Sequence, residues 1–215
     1  MKTLLLALFL SVPCFAQQIT VSPANEQNNG VQLSTSLSDG NVTLPLAAAA
    51  LNTHKVGLVY YRVAVSQLFA EHPENLIRTY DGIFASLPKA GMMAMRLTLL
   101  RGVDSALIQS SIDTAIADNI SAQDLPVYQA DIDQVKNAML TESSIDFGTS
   151  ISFVAYPSKN QVLYENSHGV DTIMQFKAPG FIYKVFAVWL GSQSTVEGQR
   201  SKTALLTVPQ VTPKN

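Results

Sequence analysis

Between Met93 and Ile120 the hydrophobic period changes from two to three-and-four with no linker in between. Met93, Met95, Leu97 and Leu99 alternate, as in a strand with one apolar face. Beyond Gly102, Ile108, Ile112, Ala115, Ile116 and Ile120 recur at helical spacing, behind Asp104 or Ser105 as a cap. A chain that passes this directly from strand to helix must pack both on one core. Strict alternation carries Arg101 onto the greasy face of the strand. An unpaired guanidinium buried there would cost several kcal/mol. Arg101 must therefore reach water or a partner, either as a structural junction residue or as a fork for a ligand carboxylate.

The flanking sequence extends this pattern. Residues 17–29 are polar and predict a flexible lead-in. Gly30 to Leu46 alternates weakly around Asp39-Gly40, the signal of a β-hairpin. Lys55 to Ala70 has strand period and many Val, Tyr and Phe residues. Alternation puts Tyr61, Val63, Val65 and Phe69 on one face, and Tyr60, Arg62, Ala64 and Ser66 on the other. Asn75 to Leu87 has amphipathic helical spacing, ended by Pro88. Ser121 with Asp124 suggests a capping box before a helix carrying Tyr128, Ile132, Val135 and Met139. Three strands follow, within 149–157, 161–167 and 171–176. Pro179 opens a helix that buries Ile182, Val185, Phe186 and Trp189, and Gly191 ends it. Ser194 and Glu197 cap a last short helix, and the tail 208–215 reads as loose. This order predicts an α+β domain: a large antiparallel sheet covered on one face by a layer of helices.

Composition narrows the function. The chain has 215 residues, of which 47% are hydrophobic and 14% charged, with net charge −2. That excludes a disordered chain and argues against a nucleic-acid partner, which needs a basic face. Lys2, the apolar run Leu4 to Val12 and the small pair Cys14 and Ala16 predict a signal peptide over 1–16, cut after Ala16. The mature protein is then expected in the periplasm or outside the cell. Pro13 makes Cys14 a poor lipoprotein acceptor. No stretch approaches the roughly 20 apolar residues of a membrane span.

Chemical motifs are sparse. His54, His72 and His168 stand alone, and Cys14 is the one cysteine, so no metal site is expected. There is no phosphate loop, dinucleotide fingerprint or nucleophile elbow, and no cofactor is expected. Asp131 and Asp133 lie two apart on a helix and do not share a face. The candidate ligand-binding residues are Lys55, Tyr60, Arg62 and Arg101. For Arg62 two readings stand: an exposed strand residue whose stem covers Tyr60, or an anion contact in a cleft. No catalytic residue is assigned.

Three stretches together resemble the bacterial chalcone-isomerase-like family: "LNTHKVGLVYYRVAVSQLFAE" (Leu51 to Glu71), "MRLTLLRGVDSALIQSSIDTAIADNIS" (Met95 to Ser121) and "FIYKVFAVWLG" (Phe181 to Gly191). The resemblance covers roughly Gly30 to Leu206, so a single domain over 30–207 is expected. It implies an open-faced β-sandwich with a ligand cleft between sheet and helices. In plant chalcone isomerases an arginine, a threonine, a tyrosine and an asparagine serve ring closure. Their counterparts here are Asn52, Ala64, Leu107 and Thr114, and none matches; Lys55 is the nearest cation. Relatives that bind fatty acids use the same arginine and tyrosine, also lacking. The expectation is thus an exported, non-catalytic protein binding a lipophilic or amphipathic molecule, fatty-acid-like or aromatic. The alternatives are an intramolecular lyase with altered catalytic residues, and an envelope interaction module docking through the face of Arg62 and Ser66.

Overall fold

The computed structural model describes residues 19–214. The predicted signal peptide and its cleavage site lie outside them. Ten strands and six helices follow in chain order: β1 (Thr20–Asn28), β2 (Val31–Ser38), β3 (Thr43–Val56), β4 (Val59–Ala70), α1 (Gly82–Ser86), β5 (Met93–Leu99), β6 (Val103–Asp104), α2 (Ser105–Asn119), α3 (Leu125–Met139), β7 (Ser144–Ile145), β8 (Ser150–Tyr156), β9 (Gln161–Glu165), β10 (Asp171–Gln175), α4 (Phe181–Val185), α5 (Ala187–Leu190) and α6 (Val196–Leu205). Eight strands form one antiparallel sheet in the order β1-β2-β3-β4-β5-β8-β9-β10. The α+β architecture predicted from the sequence is present.

Alternation gives the sheet two apolar faces. Met93, Met95, Phe153, Ala155, Leu68 and Ala70 are buried on the front, under the helices. Phe69, Ala94, Val154 and Leu163 are buried on the back against Leu37, Leu44 and Leu46 of the first strands. The sheet therefore curls, and its β1–β2 hairpin closes its own back face. Two polar contacts pin that closure: the Ser34 N–H donates to Gln67 Oε1 (2.7 Å), and the Tyr156 hydroxyl donates to Asp39 Oδ2 (2.7 Å). Burial alone would raise the Asp39 pKa. The N–H groups of Val42 and Asn41 and the Tyr156 hydroxyl outweigh it, so the carboxyl sits below its usual range.

Several local expectations change. The polar lead-in is a strand from Thr20, with Ala24 its one fully buried side chain; Asn29 and Gly30 turn it into β2 with φ of 51° and 85°. The tail is tied down: Asn25 N–H donates to Thr212 O (2.8 Å), Lys214 N–H to Pro23 O (3.0 Å), and Thr212 N–H to Glu26 Oε2 (2.8 Å). Within Asn75 to Leu87 only α1 is α-helical, between 3-10 turns at Pro73–Asn75 and Leu87–Lys89. The Ser86 hydroxyl accepts from Ile77 N–H (3.0 Å), holding the residues before α1 in a bent connection. The Lys55 to Ala70 run is two strands, split by a turn at Gly57 and Leu58. The late helix breaks at Phe186 into α4 and α5, though Ile182, Val185, Phe186 and Trp189 are all buried as expected. Pro179 precedes α4, and Gly180 is its cap. The cap of α6 is Thr195, whose hydroxyl accepts from Gly198 N–H (3.0 Å).

Candidate functional site: a cavity between sheet and helices

Front-face packing is incomplete. A cavity of about 480 Å³ lies between the sheet and the helical layer. Its floor is Ala64, Leu97, Leu99, Ile151 and Phe153 from β4, β5 and β8. Its roof is Leu107, Ile108, Ile112 and Ile116 of α2, with Ile132 and Val135 of α3 and Trp189 of α5. The exposed members of the lining mark the opening: His54 and Lys55 at the end of β3, Ser110, Ser111 and Thr114 on α2, and Thr195 before α6. The interior is greasy and the rim polar, as in cavities for small lipophilic ligands.

The roof is held by local chemistry. Asp104 Oδ1 accepts from Leu107 N–H (2.9 Å) and starts α2 immediately after β6. Ser121 accepts from Asp124 N–H (3.1 Å), and its hydroxyl donates to Asp124 Oδ2 (2.8 Å), so the predicted capping pair orders the entry to α3. At the far end of α2, Lys184 Nζ donates to Asn119 O (3.0 Å), a cation at a helix C-terminus. Asn119 in turn accepts from Ser192 N–H (2.6 Å). A Cβ at Gly191 would collide with the Asn119 side chain, so the glycine permits that approach. Asp131 is spent on structure: its two oxygens accept from the N–H groups of Lys177 (2.9 Å) and Ala178 (2.8 Å).

Of the four residues proposed from sequence, only Lys55 lines the cavity. Arg62 and Tyr60 miss it because β4 carries a bulge. Asn52 pairs with Ala64, but Thr53 pairs with Arg62, which leaves Val63 as an extra residue and breaks the alternation. Val63 lines the cavity in place of Arg62. Arg101 misses it because β5 ends at Leu99. Arg101 is exposed beyond the strand, with its guanidinium 4.6 Å from the Tyr61 ring. The oddity of an arginine on a greasy face thus dissolves. Ser66 is fully buried and hydrogen-bonded by the Asn52 amide, so it cannot belong to an exposed docking face.

Asn52, Ala64, Leu107 and Thr114, taken from distant parts of the sequence, all line this one cavity. A second depression, about 950 Å³, lies between Tyr80, Asp118, Asn119, Gln193 and Lys202. It is a wide polar groove, and its polar groups serve the backbone. Lys202 Nζ donates to Gly191 O (2.8 Å), Asp118 accepts from Ser194 N–H (2.8 Å), and burial lowers the Lys202 pKa. Among the described residues no three His, Cys, Asp or Glu side chains gather as metal ligands. No described helix is long and apolar enough to cross a membrane.

The sequence matches no protein-family model and no curated protein. Among solved structures it is similar to an Arabidopsis thaliana fatty-acid binding protein, with TM-score 0.59 and 15% identity over 84% of this chain and 94% of that one. With the curled eight-stranded antiparallel sheet and its single helical layer, that likeness gives the chain the chalcone-isomerase-like fold.

Proposed function

We propose that this protein is an exported, non-catalytic member of the bacterial chalcone-isomerase-like family that binds a lipophilic small molecule, of fatty-acid or aromatic type, in the cavity between sheet and helices. The observation that carries the reading is the cavity. Its volume of about 480 Å³ falls in the usual range for small-molecule sites, roughly 300–1,000 Å³. Its interior is aliphatic and aromatic, and its rim offers Lys55, Thr114 and Thr195 to a polar head group. The fatty-acid binding of its structural neighbour supports the same reading.

The four positions matched to the isomerase site share the cavity yet hold Asn52, Ala64, Leu107 and Thr114. No cation stands at the arginine's counterpart and no phenol at the tyrosine's. Losing such oriented groups commonly costs about 10²- to 10³-fold each. Chalcone turnover is therefore expected to equal the buffer rate.

Displacement of a fluorescent fatty acid tests the proposal. The chain should bind the probe, and Ala64→Phe, which fills the floor, should abolish binding while the protein stays folded. Absence of binding by acyl and aromatic probes alike, with nothing retained in native mass spectrometry, would overturn it.

A further inference from the structure

The β3–β4 turn is apolar where a tight turn calls for polar residues. Gly57 takes φ +62° and Leu58 a negative φ, a two-residue turn of the Gly-first kind. Nothing in that geometry asks for leucine, yet Leu58 is 93% exposed, between Val56 at 57% and Val59 at 52%. Tyr60 and Tyr61 follow at 41% and 39%. One exposed leucine is unremarkable; a contiguous apolar projection is a contact surface.

Cations collar this projection. Lys55 Nζ lies 5.5 Å and the Arg200 guanidinium 5.0 Å from the Tyr60 ring, and Arg101 lies 4.6 Å from Tyr61. Arg62 stands one residue further down β4. Among the described residues none of these four forms an ion pair, whereas Arg96 and Lys136 do. Asp104, three residues beyond Arg101, is engaged as the cap of α2. In a chain of net charge −2, four unpaired cations around one greasy tip point to an anionic partner.

We propose that the β3–β4 hairpin docks this end of the molecule onto an anionic phospholipid bilayer. The order along the hairpin matches the depth profile of an interface: aliphatic tip, then tyrosines, then cations. Four residues of strand put Arg62 about 13 Å from Leu58. Apolar groups of peripheral proteins sink roughly 5–10 Å into the boundary. Leu58 and its valines then reach the acyl edge, Tyr60 and Tyr61 sit at head-group level, and the cations meet phosphate. A flat protein partner would leave this layering unused. The docking goes beyond ligand binding and does not require an occupied cavity. Its position does have a bearing on it, since His54 and Lys55 belong to both the hairpin and the cavity rim.

Vesicle flotation with the full chain tests the proposal. Vesicles of phosphatidylcholine with phosphatidylglycerol should bind it, with binding that falls as salt rises, and phosphatidylcholine alone should bind it at least tenfold more weakly. Leu58→Asp should lower binding tenfold or more, and Arg62→Glu or Arg101→Glu roughly fivefold to tenfold each. Val127→Asp, 68% exposed on α3, should change nothing. Leu58→Asp should keep its melting temperature and its affinity for a soluble fatty-acid probe, which separates docking from ligand binding. No vesicle binding, or equal binding by Leu58→Asp, would overturn the proposal. So would a dimer that Leu58→Asp abolishes in a chain that ignores vesicles.

Discussion

The two faces of the eight-stranded sheet are both apolar, but they are closed by different means. On the back, strands pack on strands, and Phe69, Ala94 and Val154 are fully buried. On the front, helices pack on strands and leave about 480 Å³ unfilled. Polar groups differ between the faces too. Gln67, Arg96, Ser152, Glu165 and Asp171 form one cross-strand row on the back. Arg96 Nη1 donates to Ser152 Oγ (3.0 Å) and lies 3.7 Å from Glu165. On the front, Lys55, Ser110 and Thr114 stand at the cavity rim open to solvent, while Ser66 and the Tyr164 hydroxyl are buried. A helix meets a pleated sheet along a line, so a helical layer can span a gap, while a second sheet layer follows the pleat. The back face is therefore packed without a gap, and the front face holds the candidate site.

Truncating one aromatic on the back probes this division hardest. Phe69→Ala is expected to cost about 3–5 kcal/mol in urea unfolding. Leu107→Ala, in the wall of an existing cavity, should cost about 1 kcal/mol or less, since little new void forms. Equal losses would break the comparison.

The polar row gives the next effect. Burial lowers the Arg96 pKa despite Glu165, and burial raises the Glu165 pKa despite Arg96. Both shifts disfavour the charged forms, so the pair exacts a net desolvation cost. Arg96→Met alone should destabilise by about 2–3 kcal/mol because Glu165 is left uncompensated. Arg96→Met with Glu165→Leu should recover most of that loss. A double variant no better than the single would refute the reading.

On the front, Asp104→Ala removes the cap of the roof helix. A loss of about 1 kcal/mol is expected, with weaker binding of the fatty-acid probe, read by calorimetry alongside thermal unfolding. A loss of stability with unchanged probe affinity would mean that the α2 start does not shape the cavity.

The smallest effect separates two carboxylates by sign. The folded pKa of Asp39 is depressed, so its contribution is present above the unfolded value near 3.8 and lost as pH falls through the folded one. Burial raises the folded pKa of Asp171, so the fold is relatively favoured at low pH and penalised as pH rises past 3.8. Its Oδ1 is buried without a partner among the described residues. Between pH 3 and pH 6, Asp39→Asn should lose stability relative to the unsubstituted chain, and Asp171→Asn should gain it. Parallel slopes in the two variants would contradict this assignment.

Much of the fold is legible in periodicity, because α2 and α3 each bury one stripe at helical spacing and β5 carries Met93, Met95 and Leu99 at strand spacing on its front face. β1 is not, since only Ala24 of its nine residues is fully buried. The usable signal there is Asn29-Gly30, a turn pair whose flanks are polar. The site is less legible, for reasons of single residues. One extra residue at Val63 turns Arg62 and Tyr60 off the cavity, and ending β5 at Leu99 rather than Arg101 removes a third candidate. Period-two counting assumes unbroken strands, and both failures are breaks. The positions matched by resemblance, Asn52, Ala64, Leu107 and Thr114, do meet in space along the cavity.

The segment 212–214 that pairs with β1 covers part of an outermost strand. An outermost strand offers a row of free N–H and C=O groups to any other extended chain. Pro23 to Asn25 would offer such a template, but Thr212 to Lys214 already occupies it, with a bridge between Ala24 and Pro213. Pro213 has no N–H, so the pairing stops with the tail and does not pass on to a further strand. Thr212 to Lys214 thus shield the Pro23 to Asn25 backbone from edge-to-edge pairing, and removing them is expected to expose that stretch to other extended chains.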